Sequence, residues 1–144
     1  MSLLISRAAA RPPDGFPPAR LASTTPWFFR RILRTTQDTK VVFDNANPLA
    51  YGMPPEGLAL HMSGSPAFEI IPGEHNERYE VIVRYAGRDL LESGWLIGEQ
   101  TLARKAGMVA AKYGDGRVIL IGFRTQHRAQ THGTFKLLFN ALIR

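Results

Sequence analysis

From residue 39 onward, short apolar runs alternate with polar breaks rich in glycine, proline and asparagine, and the spacing of the runs predicts strands more often than helices. TKVVF, residues 39–43, reads as a short buried strand. LALHM (58–62) and AFEII (67–71) read as two more, joined by an SGSP turn. YEVIVRY, 79–85, alternates Tyr79, Val81, Val83 and Tyr85 with Glu80, Ile82 and Arg84, the pattern of a strand with one face largely buried. GMVAAKY (107–113) and RVILIGF (117–123) flank Gly114-Asp115-Gly116, which predicts a tight hairpin whose turn needs a positive φ. RVILI is apolar without interruption after its arginine and is expected to be covered on both faces.

Between these strands, DNANPLAYGMPPEG (44–57) and PGEHNER are loops. RDLLESGWLIGEQTLARKAG, 88–107, predicts a turn around Trp95 and a short helix near 98–105. THGTFKLLFNALIR, 131–144, places Phe135, Leu138, Phe139 and Leu142 at i, i+3, i+4 and i+7, so a terminal helix is expected to turn that stripe to the core, with Thr131 or Thr134 as its N-cap. Residues 1–26 hold five prolines and no sustained period and read as a flexible arm outside the sheet. WFFRRIL, 27–33, is a helical turn or an irregular strand. The expected domain is 27–144, with α/β character.

Composition narrows the chemistry. With no cysteine among 144 residues, disulfides, thiolate metal sites and a cysteine nucleophile are excluded together. The net charge of +6 divides unevenly, as +5 over residues 1–40, −6 over 41–100 and +7 over 101–144. Because the middle has the opposite sign and no basic run is interleaved with aromatics, nucleic acid is not expected as a partner. Nor is a membrane, since no stretch approaches the ~20 apolar residues of a span. In MSLLISRAAARPP the basic residue follows an apolar run too short for an export signal, which makes a cytoplasmic location the default expectation.

Candidate chemistry concentrates in GFRTQHRAQTHGTFKLLFNAL, 122–142, where Arg124, Gln126, His127, Arg128 and His132 fall on a strand-to-helix connection. At the carboxyl end of a strand, facing a helix N-terminus, such residues would suit an anion or a small ligand. The same residues equally serve to satisfy loop backbone and cap the helix, and that is the favoured reading. His61, His75, His127 and His132 lack the close spacing of zinc ligands. SGSPAF is not a nucleophile elbow, and no phosphate-binding glycine motif occurs. No metal, cofactor or catalytic residue is expected.

Three segments together carry a resemblance: NPLAYGMP (47–54), VRYAGRDLLESGWLIGE (83–99) and GDGRVILIGFRTQHRAQTHGTFKLLFNAL (114–142). Over residues 40–143 the chain resembles the C-terminal region of bacterial zinc carboxypeptidases of the carboxypeptidase A type. There, a peptidase domain precedes a domain similar to class I glutamine amidotransferases. The resemblance implies a partial flavodoxin-like sheet with a C-terminal helix and a β-hairpin. It also implies an accessory or interaction role, with the zinc ligands and general-base glutamate of the peptidase domain outside this chain. Amidotransferase chemistry does not transfer, because its nucleophile is a cysteine. The sheet's exposed edge is then expected to be covered by WFFRRIL folding back, by a second copy of the chain or by an upstream peptidase domain.

Overall fold

The computed structural model describes residues 2–6 (as backbone alone), 37–62, 64–70, 78–128 and 131–143. Seven strands form one sheet: β1 (Ser2–Ser6), β2 (Gln37–Phe43), β3 (Glu56–His61), β4 (Tyr79–Tyr85), β5 (Leu91–Ser93), β6 (Ala106–Tyr113) and β7 (Gly116–Ile121). Their order is β1-β7-β6-β4-β2-β3, with β5 beside β2, and every pairing is antiparallel. The α/β expectation holds in this coarse form. The parallel sheet implied by a flavodoxin-like arrangement is not what these strands build. Tight turns such as Gly114-Asp115 can join only antiparallel neighbours; Gly114 there has φ of 57°, and Tyr113 pairs with Gly116.

The sheet curls. At its β3 end, Leu60 bridges Arg124, just beyond β7, with the Arg124 amide donating to the Leu60 carbonyl at 2.9 Å. The inner face holds the main core, including Val41, Phe43, Val83, Met108, Ile119 and Phe123. Each such fully buried side chain contributes about 1.5–3 kcal/mol through removal from water. Thr39 shares that face without an orphaned hydroxyl, since its Oγ1 donates to the Ala59 carbonyl at 2.8 Å.

A second cluster gathers Phe68, Ala106 and Val109, with Ile70, Val81 and Leu120 against them. The two clusters explain why RVILI is apolar after Arg117: Ile119 and Ile121 enter the main core while Leu120 meets the second cluster. Of the strand expected over 67–71, the described residues 67–70 make one bridge, in which Phe68 and Ala106 exchange backbone hydrogen bonds of 2.8 and 2.9 Å. Ser2–Ser6, the described part of the segment expected as an arm, pairs with β7 as an edge strand. The WFFRRIL segment and the rest of that arm lie outside the described residues.

Among the described residues two short α-helices complete the fold, α1 (Glu99–Leu102) and α2 (Phe135–Ile143). Among the described residues no helix is long and apolar enough to cross a membrane. The α2 face is rotated from its expected position: Leu137 and Ala141 point into the core, while Phe139, Leu142 and Ile143 are exposed, the last at 82%. The helix is apolar on most of its circumference, so its stripe does not specify a rotation. Polar anchors do. Asn140 Nδ2 donates to the Leu49 and Tyr51 carbonyls at 3.1 and 3.0 Å, and Lys136 Nζ to the Gly52 carbonyl at 2.9 Å. Their acceptors lie in and just after a 3₁₀ turn, Pro48–Ala50, capped by Asn47, whose Oδ1 accepts from the Leu49 amide.

Candidate functional site

Strand β2 is flanked on one side by β4 and then by β5, and the chain leaves the sheet between them. Val41 pairs with Tyr85, after which the Ala86 amide donates to the Lys40 carbonyl at 3.0 Å and the Lys40 amide donates to the Leu90 carbonyl at 2.7 Å. Gly87, Arg88 and Asp89 therefore have no place in the ladder and project from it as a bulge. Such insertions re-aim side chains beside functional sites.

This bulge is held at both ends. The Ala86 carbonyl accepts from the Arg104 amide at 3.2 Å, and the Leu90 amide donates to Glu99 Oε1 at 2.7 Å. Leu90 itself is fully buried, and the Arg104 side chain lies against Gly87. Asp89 adopts φ of 51°, a left-handed conformation that costs a non-glycine residue free energy and persists only where its surroundings enforce it.

The bulge forms one wall of an open cleft of about 600 Å³. Val42 and Leu58 lie in its lining, 43% and 39% exposed, because alternation along β2 and β3 turns them away from the core. Glu56 of β3 lies on the opposite side, and Lys40 and Glu92 meet at 3.2 Å within the lining. Among the described residues no ion pair engages Glu56, Arg88 or Asp89. Once Lys40 and Glu92 neutralise each other, two carboxylates and one guanidinium remain. The cleft thus carries a local negative excess on a chain of net charge +6.

The residues expected to bind a ligand lie elsewhere. Arg124, Gln126 and Arg128 are exposed, His127 is half-buried, and His132 is exposed with its ring edge-on to Phe135 at 5.7 Å. None of the five lines the cleft. Their loop is a joint. Thr134 Oγ1 donates to the Thr125 carbonyl at 3.0 Å and the Thr131 carbonyl at 2.8 Å, and Thr134 is buried. These bonds use the Thr134 hydroxyl to hold the loop, and Thr131, at the N-cap of the 3₁₀ turn His132–Thr134, makes no side-chain cap hydrogen bond to that turn.

His61, at the end of β3, is buried against Tyr85 with Nδ1 2.9 Å from the phenol oxygen. Burial lowers the imidazole from 6.5 to about 4 and pushes the Tyr85 phenol upward. Both are neutral at pH 7. Enclosed in this way, His61 serves the core and reaches no substrate. Among the described residues no group of three or more histidines and carboxylates could hold a metal ion.

Sequence reasoning did not single out Lys40, Glu56, Arg88, Asp89 or Glu92. Two signals pointed towards them: the charge of −6 over residues 41–100, and the Gly87-Arg88-Asp89 interruption between two strand-like stretches. No protein-family model, curated protein or solved structure matches the chain.

Proposed function

We propose that this chain is a non-catalytic interaction domain that takes its partner in the cleft over β2 and β3. One observation carries the reading: a strained bulge, tied down by Lys40, Arg104 and Glu99, holds charged side chains beside exposed Val42 and Leu58. Exposed apolar side chains ringed by fixed charges are what a binding surface requires. A nucleophile with its base, the minimum for covalent catalysis, is not assembled among the described residues.

The resemblance to the C-terminal domain of zinc carboxypeptidase-like proteins belongs to the same proposal. It supports an accessory role, and any peptidase activity would reside in a catalytic domain that these residues do not form. The antiparallel pairings weigh against carrying over the flavodoxin-like architecture. Small-ligand binding at Arg124, Gln126, His127, Arg128 and His132 is the competing site, and it can be separated by experiment.

A ¹H–¹⁵N titration with mixed short peptides, amino acids and monosaccharides is expected to shift the amides of Lys40–Val42, Glu56–Leu58 and Gly87–Asp89. Shifts confined to 124–132 would transfer the site to that loop. No shift with any probe would remove the reading.

A further inference from the structure

The cleft also constrains what fills it, an inference that rests on the binding role proposed above. Its lining is open to solvent, so it cannot enclose most of a small molecule's surface as small-ligand sites do. It suits a segment of chain that buries one side and continues beyond. Its walls differ from its floor: Glu56 stands on β3, Asp89 on the bulge beyond β2, and Val42 and Leu58 lie in the lining with them. With strands spaced about 4.8 Å apart, two spacings separate the walls by roughly 10 Å; alternation puts residues four positions apart on one face of an extended chain, about 13 Å from each other, and long flexible side chains close the difference.

We infer that the cleft docks an extended peptide segment in which two basic residues, four positions apart, bracket an apolar residue that shares their face. The basic side chains meet Glu56 and Asp89, and the apolar one rests on Val42 and Leu58. Charge complementarity sets the sign. Lys40 is already paired with Glu92, so the carboxylates in excess are Glu56 and Asp89. The chain as a whole is +6 and repels cations at long range, so attraction of a basic segment must come from this local excess. Arg88 opposes it, which makes the site selective for cations that reach the two walls without approaching the bulge tip.

The test uses three blocked peptides, Ac-Lys-Ser-Leu-Ser-Lys-NH2, Ac-Glu-Ser-Leu-Ser-Glu-NH2 and Ac-Lys-Ser-Ser-Ser-Lys-NH2, titrated into the full chain and followed by amide shifts at low and high salt. The first is expected to move the cleft amides, and to do so less at high salt. The acidic peptide is expected to leave them still, and the serine peptide to bind more weakly. Replacing both carboxylates, Glu56→Gln with Asp89→Asn, is expected to weaken the first peptide about three- to tenfold, the range of two exposed ion pairs. Asparagine tolerates the left-handed backbone at 89, and an unchanged thermal midpoint checks that the variant is folded. Equal binding of the basic and acidic peptides, or unchanged binding in the double variant, would overturn the inference. If other probes shift the cleft amides and the basic peptide does not, the peptide inference fails while the cleft reading stands. If no probe shifts them, both fall.

Discussion

His61 Nδ1 lies 2.9 Å from the Tyr85 hydroxyl across the core, with the ring centroids 5.6 Å apart and the planes 82° to each other. This edge-on pair joins the ends of β3 and β4 across the intervening β2. Both side chains are almost completely buried, so each is the other's means of satisfying a polar atom away from water.

Removing the hydroxyl alone should therefore be costly. Tyr85→Phe preserves the ring and leaves the histidine nitrogen without its partner, and is expected to destabilise the fold by about 1–3 kcal/mol. Urea denaturation should show a lower midpoint with an unchanged slope.

The same burial makes stability depend on acid. The folded pKa of His61, about 4, lies below the unfolded 6.5, so the unfolded chain binds the extra proton between these values. The stability held by neutral His61 is complete above pH 6.5 and is lost as the pH falls towards 4. The shift corresponds to about 3 kcal/mol across that window. His61→Gln should flatten this part of the stability profile relative to the parent chain, measured by denaturation at each pH.

Gly122 faces the Pro66 carbonyl so closely that an added Cβ would collide with it, with Phe68 and the Gly107 carbonyl also in contact range. Since the obstacle is backbone, relief requires moving the 66–68 segment. Gly122→Ala is expected to cost about 1–3 kcal/mol and to disturb the Phe68–Ala106 bridge, visible as faster amide exchange at both residues.

On α2, Leu137→Ala should cost about 2–5 kcal/mol, because it opens a cavity in the main core. Phe139→Ser or Leu142→Ser should change stability by less than about 1 kcal/mol, since both side chains face outward. Thermal unfolding of the three variants checks the rotation of the helix directly.

In the 124–134 loop, Thr134→Val removes a buried hydroxyl that donates to two carbonyls and should cost about 1–3 kcal/mol. Arg124→Ala and His127→Ala should stay within about 0.5 kcal/mol of the parent chain, as their side chains are exposed or half-buried. A large loss from either single alanine would assign these side chains to the joint as well.

The strands over 39–43, 58–62, 79–85 and 107–123 were legible because alternation and the Gly114-Asp115 turn are local properties, written within a few residues of each other. The charge division that marks the cleft was equally visible. Local pattern could not supply the neighbours of each strand, the curl that brings Leu60 to Arg124, or the antiparallel order that replaced the expected parallel sheet. The rotation of α2 was hidden for the same reason: a helix apolar nearly all round offers several inward faces, and Asn140 and Lys136 select one only after the 49–52 carbonyls are in place. The cleft, too, exists only once β2 is paired on both sides and residues 87–89 are forced out between Ala86 and Leu90. Periodicity sets which segments become strands, whereas pairing between distant segments determines which side chains meet. That second step depends on the packing of the whole chain.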